Sequence, residues 1–293
     1  MDKSYGRIFL GQTAIMRSGI LNVRAHPHDE ETYDNLMQAL YGLRRATKLR
    51  GDRYGVISLL ERAPDEEGML RGILTTFTKI DENSEWFDLE NMKEATGEKV
   101  SEISIPKNLY PNPRPFYFYF NTNKHRLYLQ TYSKGDRLSI RDAERFFKSL
   151  SSSKKIRDEF GDIKVTMVQS HQSLKTIFGL NKITKVRVVI EKPNSDVFDD
   201  NFEENIEKHL AETNSRQVEI IYSSERGESI AVTDDIRKVS EPALDNGLVE
   251  VTGQSAVGRE KRSSRNHPKI VQEEYDTAVL TEAQALRSLA AKQ

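Results

Sequence analysis

The run Phe116-Tyr117-Phe118-Tyr119-Phe120 constrains the fold of this chain more than any other feature. Aromatic residues favour extended backbone. Alternation along a strand then sends Phe116, Phe118 and Phe120 to one face and Tyr117 and Tyr119 to the other. A strand apolar on both faces needs a layer on each side, so it belongs in the middle of a covered sheet. The same rings could stack on bases, but core packing is the stronger reading. The tyrosines would then face a second layer or a dimer partner. Asn121-Thr122-Asn123-Lys124 supplies a turn, and His125 to Tyr132 returns as the hairpin partner.

Around this hairpin the pattern alternates between short strands and short helices. Strands are expected over Thr13 to Arg24, Tyr54 to Leu60, Leu70 to Phe77, Ile163 to Val168, Ile183 to Ile190, Val218 to Tyr222 and Leu248 to Thr252. A further strand is expected over Lys269 to Tyr275. Tyr33, Leu36, Met37, Leu40 and Tyr41 recur at helical spacing behind Asp29, a suitable cap, with Gly42 near the helix end. Ser139 caps a helix bearing Ala143, Phe146, Phe147 and Leu150, and a short helix follows Ser151-Ser152-Ser153 as far as Phe160. Further helices are expected around Leu174 to Phe178, Phe202 to Leu210, Asp234 to Leu244 and Thr281 to Ala291. Gly253 to Pro268 is poor in apolar residues and reads as a linker. The class is α+β, with mixed or antiparallel hairpin-rich sheets flanked by helices. The serine triplet suggests two subdomains, 1–150 and 151–293, the second carrying the basic linker and a helical tail.

Composition narrows the chemistry. The 293 residues contain no cysteine, which removes disulfides, thiolate metal sites and cysteine nucleophiles and fits a reducing compartment. No stretch of about 18 apolar residues occurs, and the N-terminus has no unbroken apolar core before a cleavage site. The expectation is a cytoplasmic protein without membrane insertion. Lys and Arg total 44 against 45 Asp and Glu, so the net charge of -1 excludes a histone-like protein while leaving local patches open.

Familiar catalytic patterns are missing. There is no phosphate-binding glycine loop, no Gly-x-Ser-x-Gly elbow and no His-Glu-x-x-His helix. His26-Pro27-His28-Asp29 places two imidazoles close together, but the aspartate follows directly and no histidine follows it, so a strand-to-helix turn explains these residues better than a metal site. The acidic stretch Glu191 to Glu207 could hold Mg²⁺, with a strand carboxylate such as Glu219. A solvated, capping segment accounts for it more simply. The reading therefore assigns no catalytic residue, no metal and no cofactor.

Two basic clusters carry more weight. Arg44, Arg45, Lys48, Arg50 and Arg53 follow the first helix, and Arg259, Lys261, Arg262 and Arg265 lie in the late linker, just before Lys269. The helix dipole explains Arg44 and Arg45 but not the other three. Clusters of this density can neutralise several phosphates, and a flexible arm can order on contact. These nine residues are the candidate nucleic-acid contacts.

Several segments resemble a bacterial domain-of-unknown-function family found among genes associated with phage defence. They are Asn22 to His28, Arg50-Gly51-Asp52-Arg53-Tyr54, Trp86 to Glu90, Phe116 to Asn121 with His125-Arg126-Leu127, Glu144-Arg145-Phe146-Phe147, and Ile190 to Asn194. More distantly, the second half is similar to the phage lambda Rex exclusion A protein and the B subunit of the Kiwa defence system. Val165 to Val168, Leu174 to Leu180 and Val186 to Pro193 carry that likeness. The resemblance implies a DNA-associated antiviral defence protein, dimeric and without its own catalytic centre, whose effector would come from a partner protein. The leading expectation is a homodimer that binds nucleic acid, DNA in preference, through phosphates. Two alternatives stay open: a metal-dependent nuclease using carboxylates such as Asp52 or Glu219, and a scaffold or sensor that binds a phage or partner protein.

Overall fold

The computed structural model describes residues 12–25, 31–63, 67–191, 208–210 and 212–293. In chain order the first elements are β1 (Thr13–Arg24), α1 (Thr32–Gly42), β2 (Thr47–Arg50), β3 (Arg53–Arg62) and β4 (Met69–Thr78). An excursion with β5 (Phe87–Asp88), β6 (Lys93–Glu94) and α2 (Gly97–Ser101) leads to β7 (Arg114–Asn121) and β8 (Arg126–Gln130). Then come β9 (Tyr132–Ser133), β10 (Asp136–Arg137), α3 (Ile140–Ser151), α4 (Lys154–Phe160), β11 (Lys164–Met167) and α5 (Ser173–Ile177). The remaining elements are β12 (Lys182–Glu191), β13 (Gln217–Ser223), α6 (Asp234–Asn246), β14 (Gly247–Ser255), β15 (Gly258–Ser263), β16 (Ile270–Asp276) and α7 (Glu282–Ala291).

The aromatic strand β7 sits inside an eight-stranded sheet, between β4 and β8. The order is β11-β1-β8-β7-β4-β3-β2, with β16 also paired to β1. Every strand pairing among the described residues is antiparallel, so the α+β expectation holds. Phe116, Phe118 and Phe120 are fully buried beneath α1, α3 and α4 with Leu36, Met37, Phe146 and Phe147. On the opposite face Tyr119 and Tyr128 pack with Leu286 and Leu289 of α7. The second layer behind the tyrosines is thus the C-terminal helix, fixed at its start by a capping box between Thr281 and Gln284. Chain from both sides of Ser151–Ser153 builds this sheet, since β11 and β16 both pair with β1.

Local signals explain the helix ends. The Ser139 hydroxyl accepts from the Asp142 N–H at 3.1 Å, as an N-cap should. The residue in the N-cap position of α1 is Glu31, while His26 to Glu30, including the expected Asp29 cap, lie outside the described residues.

The smaller sheet has the order β13-β12-β14-β15 and is covered on one face by α5 and α6. Here the structure corrects one expectation. The segment 253–268 is not a linker: it contains the end of β14 and all of β15, paired as a β-hairpin, then a 3-10 turn over Ser264–Asn266 and the lead into β16. A strand covered on one face needs few apolar residues of its own, and Gly253 allows close backbone approach. A Cβ there would lie 2.0 Å from the Lys182 carbonyl oxygen. The expected helix over Phe202 to Leu210, and most of the acidic stretch, lie outside the described residues.

Candidate nucleic-acid interface

The first basic cluster wraps an edge of the larger sheet. In β2, Thr47 and Leu49 are buried while Lys48 and Arg50 are exposed. Arg44 and Arg45 are exposed in the bend between α1 and β2, with the Arg44 guanidinium 5.5 Å from the Tyr41 ring centroid. None of these four has a carboxylate within ion-pair distance among the described residues. Cations on an edge strand also discourage edge-to-edge pairing, so solubility alone gives Lys48 and Arg50 a purpose. Arg53 differs. It turns toward the α3 side, 5.6 Å from the Phe116 ring centroid, and donates to the Arg137 carbonyl at 2.6 Å and to Thr76 Oγ1 at 2.8 Å. Burial lowers its pKa below the ordinary arginine value. Its hydrogen bonds make it a structural cation.

The second cluster divides in the same way. Arg259 on β15 and Arg265 in the 3-10 turn are exposed without a carboxylate partner among the described residues. Lys261 is held by Glu250 at 2.8 Å. Arg262 is held by Glu260 at 2.8 Å and also donates to the Thr176 carbonyl at 2.6 Å.

Helix α3 brings the two clusters near each other. Residues four apart lie on one helix face, about 6 Å apart along the axis. Arg141 and Arg145 are such a pair, and both are exposed. Arg145 donates to the Leu49 carbonyl of β2 at 2.5 Å, and Arg141 donates to the Arg265 carbonyl at 2.9 Å and to the Asn266 side chain at 2.7 Å. The two basic segments, remote in sequence, are therefore reached from adjacent turns of one helix. Arg50 and Arg265 flank a band whose middle is Arg145 and Arg141. Asp142 lies within it, 3.1 Å from Arg145. Arg141 and Arg145 are not among the nine candidate contacts expected from the sequence, because only their position between two segments remote in the chain makes them part of a basic surface.

The carboxylates proposed for a nuclease have other surroundings. Glu219 forms a two-point pair with Arg187, at 2.5 Å and 3.1 Å, and Glu250 joins the same arginine at 3.1 Å. These hydrogen bonds hold the Glu219 pKa below the usual carboxylate range. Asp52 is exposed in the β2–β3 turn. No group of three or more His, Asp or Glu side chains suited to a metal occurs among the described residues.

A polar joint between the sheets also went unseen in the sequence. Arg24 Nη2 lies 2.6 Å from Glu191 Oε2, and Lys164 is 3.6 Å from the same oxygen. Asn22 donates to the Asn246 side chain, and Gln169 donates to the Gly247 carbonyl at 2.9 Å. Arg126 and Asp245 add a pair at 3.4 Å. Burial would raise the Glu191 pKa, but the charges of Arg24 and Lys164 and their hydrogen bonds outweigh it and set the carboxyl below its ordinary range. Burial lowers the Arg24 pKa despite Glu191.

Comparison with known proteins adds one finding. The model of a family described as a domain of unknown function, DUF4747, matches residues 14–291. No curated protein matches the chain. Among the described residues no helix is long and apolar enough to cross a membrane.

Proposed function

The chain belongs to the DUF4747 family, and from that starting point we propose that it is a nucleic-acid-binding protein of bacterial phage defence, acting through phosphate contacts and without catalysis of its own. The observation that carries the binding half is the band over α3. Arg50 and Arg265 stand exposed on either side of Arg141 and Arg145. Arg44, Arg45 and Arg259 add further exposed cations from the same two basic segments, while Lys48 points to the other face of the sheet. Contacts of this kind fix position on a backbone and carry little base information. Duplex DNA is the favoured ligand, because its charge density repays an array of fixed arginines most strongly. The defence half is supported by the resemblance at Asn22 to His28, Arg50 to Tyr54 and Phe116 to Asn121. A net charge near zero with segregated signs limits indiscriminate attraction while leaving local attraction strong.

A gel-shift series over salt concentration tests the reading. Replacing Arg44, Arg45, Arg50 and Arg265 together by alanine removes four cations, so the slope of log affinity against log salt should flatten by up to about 3.6. Undetectable duplex binding at low salt, or an unchanged slope in the variant, overturns it.

A further inference from the structure

The face of the larger sheet opposite α3 carries a second arrangement, built from four separate segments. Lys48 of β2 is directly across from Tyr54 of β3, and Tyr54 is directly across from Phe77 of β4. Cross-strand partners share a face, so the three side chains form a row running inward from the sheet edge. Tyr110, from the loop before β7, continues it. Its ring stacks on Phe77 with centroids 4.6 Å apart and planes 20° apart. The Thr78 N–H donates to the Pro111 carbonyl at 3.0 Å and so pins that loop against the end of β4. Lys79 Nζ lies 5.4 Å from the Tyr54 ring centroid.

The row is open to solvent where a ligand would need it. Phe77 is 7% exposed, covered by Tyr110, whereas Tyr110 itself is 38% exposed. Lys48 and Lys79 are exposed and have no carboxylate partner among the described residues. The Asp52 backbone carbonyl accepts from the Lys79 N–H at 2.8 Å and ties the β2–β3 turn to the end of β4. The row therefore offers a supported aromatic face beside two cations at the edge of an antiparallel sheet. Stacking rings interleaved with phosphate-binding cations are what an unpaired strand requires, since its bases are free to leave one another. A duplex cannot use the rings, because its bases are already stacked.

We propose that the Lys48–Tyr54–Phe77–Tyr110 row binds single-stranded nucleic acid, with a base stacked on Tyr110 and adjacent phosphates on Lys48 and Lys79. This deepens the nucleic-acid reading but uses the other face of the sheet from the α3 band, so the two can be separated. DNA and RNA share this chemistry, and the experiment distinguishes them.

The test is fluorescence anisotropy of the full chain with labelled oligonucleotides: single-stranded DNA, single-stranded RNA of the same sequence, and duplex DNA. Tyr110→Ala should weaken single-strand binding about ten-fold or more and leave duplex binding unchanged. Tyr110→Leu keeps apolar cover on Phe77 without a π-face and should lose as much, whereas Tyr110→Phe should retain affinity. Lys48→Ala with Lys79→Ala should weaken single-strand binding and flatten its salt dependence. The stronger of the two unpaired ligands identifies the sugar. Unchanged single-strand affinity in Tyr110→Ala and Tyr110→Leu overturns the proposal, as does equal loss toward duplex. If duplex binding depends on the α3 band while Tyr110 variants bind every ligand normally, this inference fails and the broader reading stands. If only single strands bind, and they require Tyr110, the inference stands and the duplex reading fails.

Discussion

Removing the Glu191 carboxylate probes the joint between the two sheets most directly. Its side chain is 16% exposed, that of Arg24 is 1% exposed, and the two are 2.6 Å apart. Both charges have left most of their water behind. Breaking such a pair from one side costs about 3–5 kcal/mol, because the remaining charge stays desolvated. Lys164, with 27% of its side chain exposed, can turn outward, whereas Arg24 cannot, so Arg24 carries whatever part of the penalty its other contacts do not offset. Glu191→Ala should therefore lower the unfolding free energy by up to about 3–5 kcal/mol, a large share of the 5–15 kcal/mol typical of a folded protein. Glu191→Gln should cost less, since its amide oxygen can still accept from Arg24. Urea denaturation followed by circular dichroism measures the change as a shift in midpoint at constant slope. Arg24→Met removes the buried charge altogether, and adding Glu191→Ala to it should cost much less than Glu191→Ala alone. The pH dependence has a definite sign. Glu191 has a lowered pKa when folded, so its contribution is complete above the unfolded glutamate value of about 4.3 and is lost as pH falls through the folded value. The gap between the native protein and Glu191→Gln should narrow on acidification. A loss below about 1 kcal/mol in Glu191→Ala, with no coupling to Arg24→Met, would refute the account.

Two further measurements address packing and the late hairpin. A Cβ at Gly72 would come within 2.1 Å of the Phe118 ring; Gly72→Ala should cost about 1–3 kcal/mol by overpacking, and an unchanged denaturation midpoint would show that the ring moves aside freely. Because Arg259, Lys261 and Arg262 belong to paired strand, trypsin should cut after them only as fast as the sheet opens, and added urea should accelerate it; prompt cleavage in native buffer would mean that the segment is an arm after all.

What was legible in the sequence followed from short-range rules. The alternation of Phe116 to Phe120 demanded a covered strand, and β7 is covered on both faces. The hydroxyl of Ser139 marked a helix start because one side chain can satisfy one N–H three residues on. Gly253 to Ser263 misled because its charges alternate: Arg259 and Lys261 stand exposed on the outer side while Glu260 and Arg262 neutralise each other on the other. A polar strand of that kind has the composition of a loop. The α3 band, the aromatic row and the Arg24–Glu191 joint depend on register between distant segments. Nothing in the neighbourhood of Tyr54 announces that Phe77 and Tyr110 will stand beside it.

The pairing of β1 also governs the order in which the protein can be made. Its first half finds its partner at Ile270 to Asp276 and its second half at Lys164 to Met167. On the ribosome, the N-terminal strand must wait until residue 276 has been synthesised before that edge is closed. Contacts so remote along the chain close slowly. In the interval an incomplete sheet displays the unpaired N-H and C=O groups of β1, and the apolar surface that α7 will cover stands open. That nascent state is the one most exposed to misassociation and to chaperone capture. Truncation before β16 would leave the chain held in it.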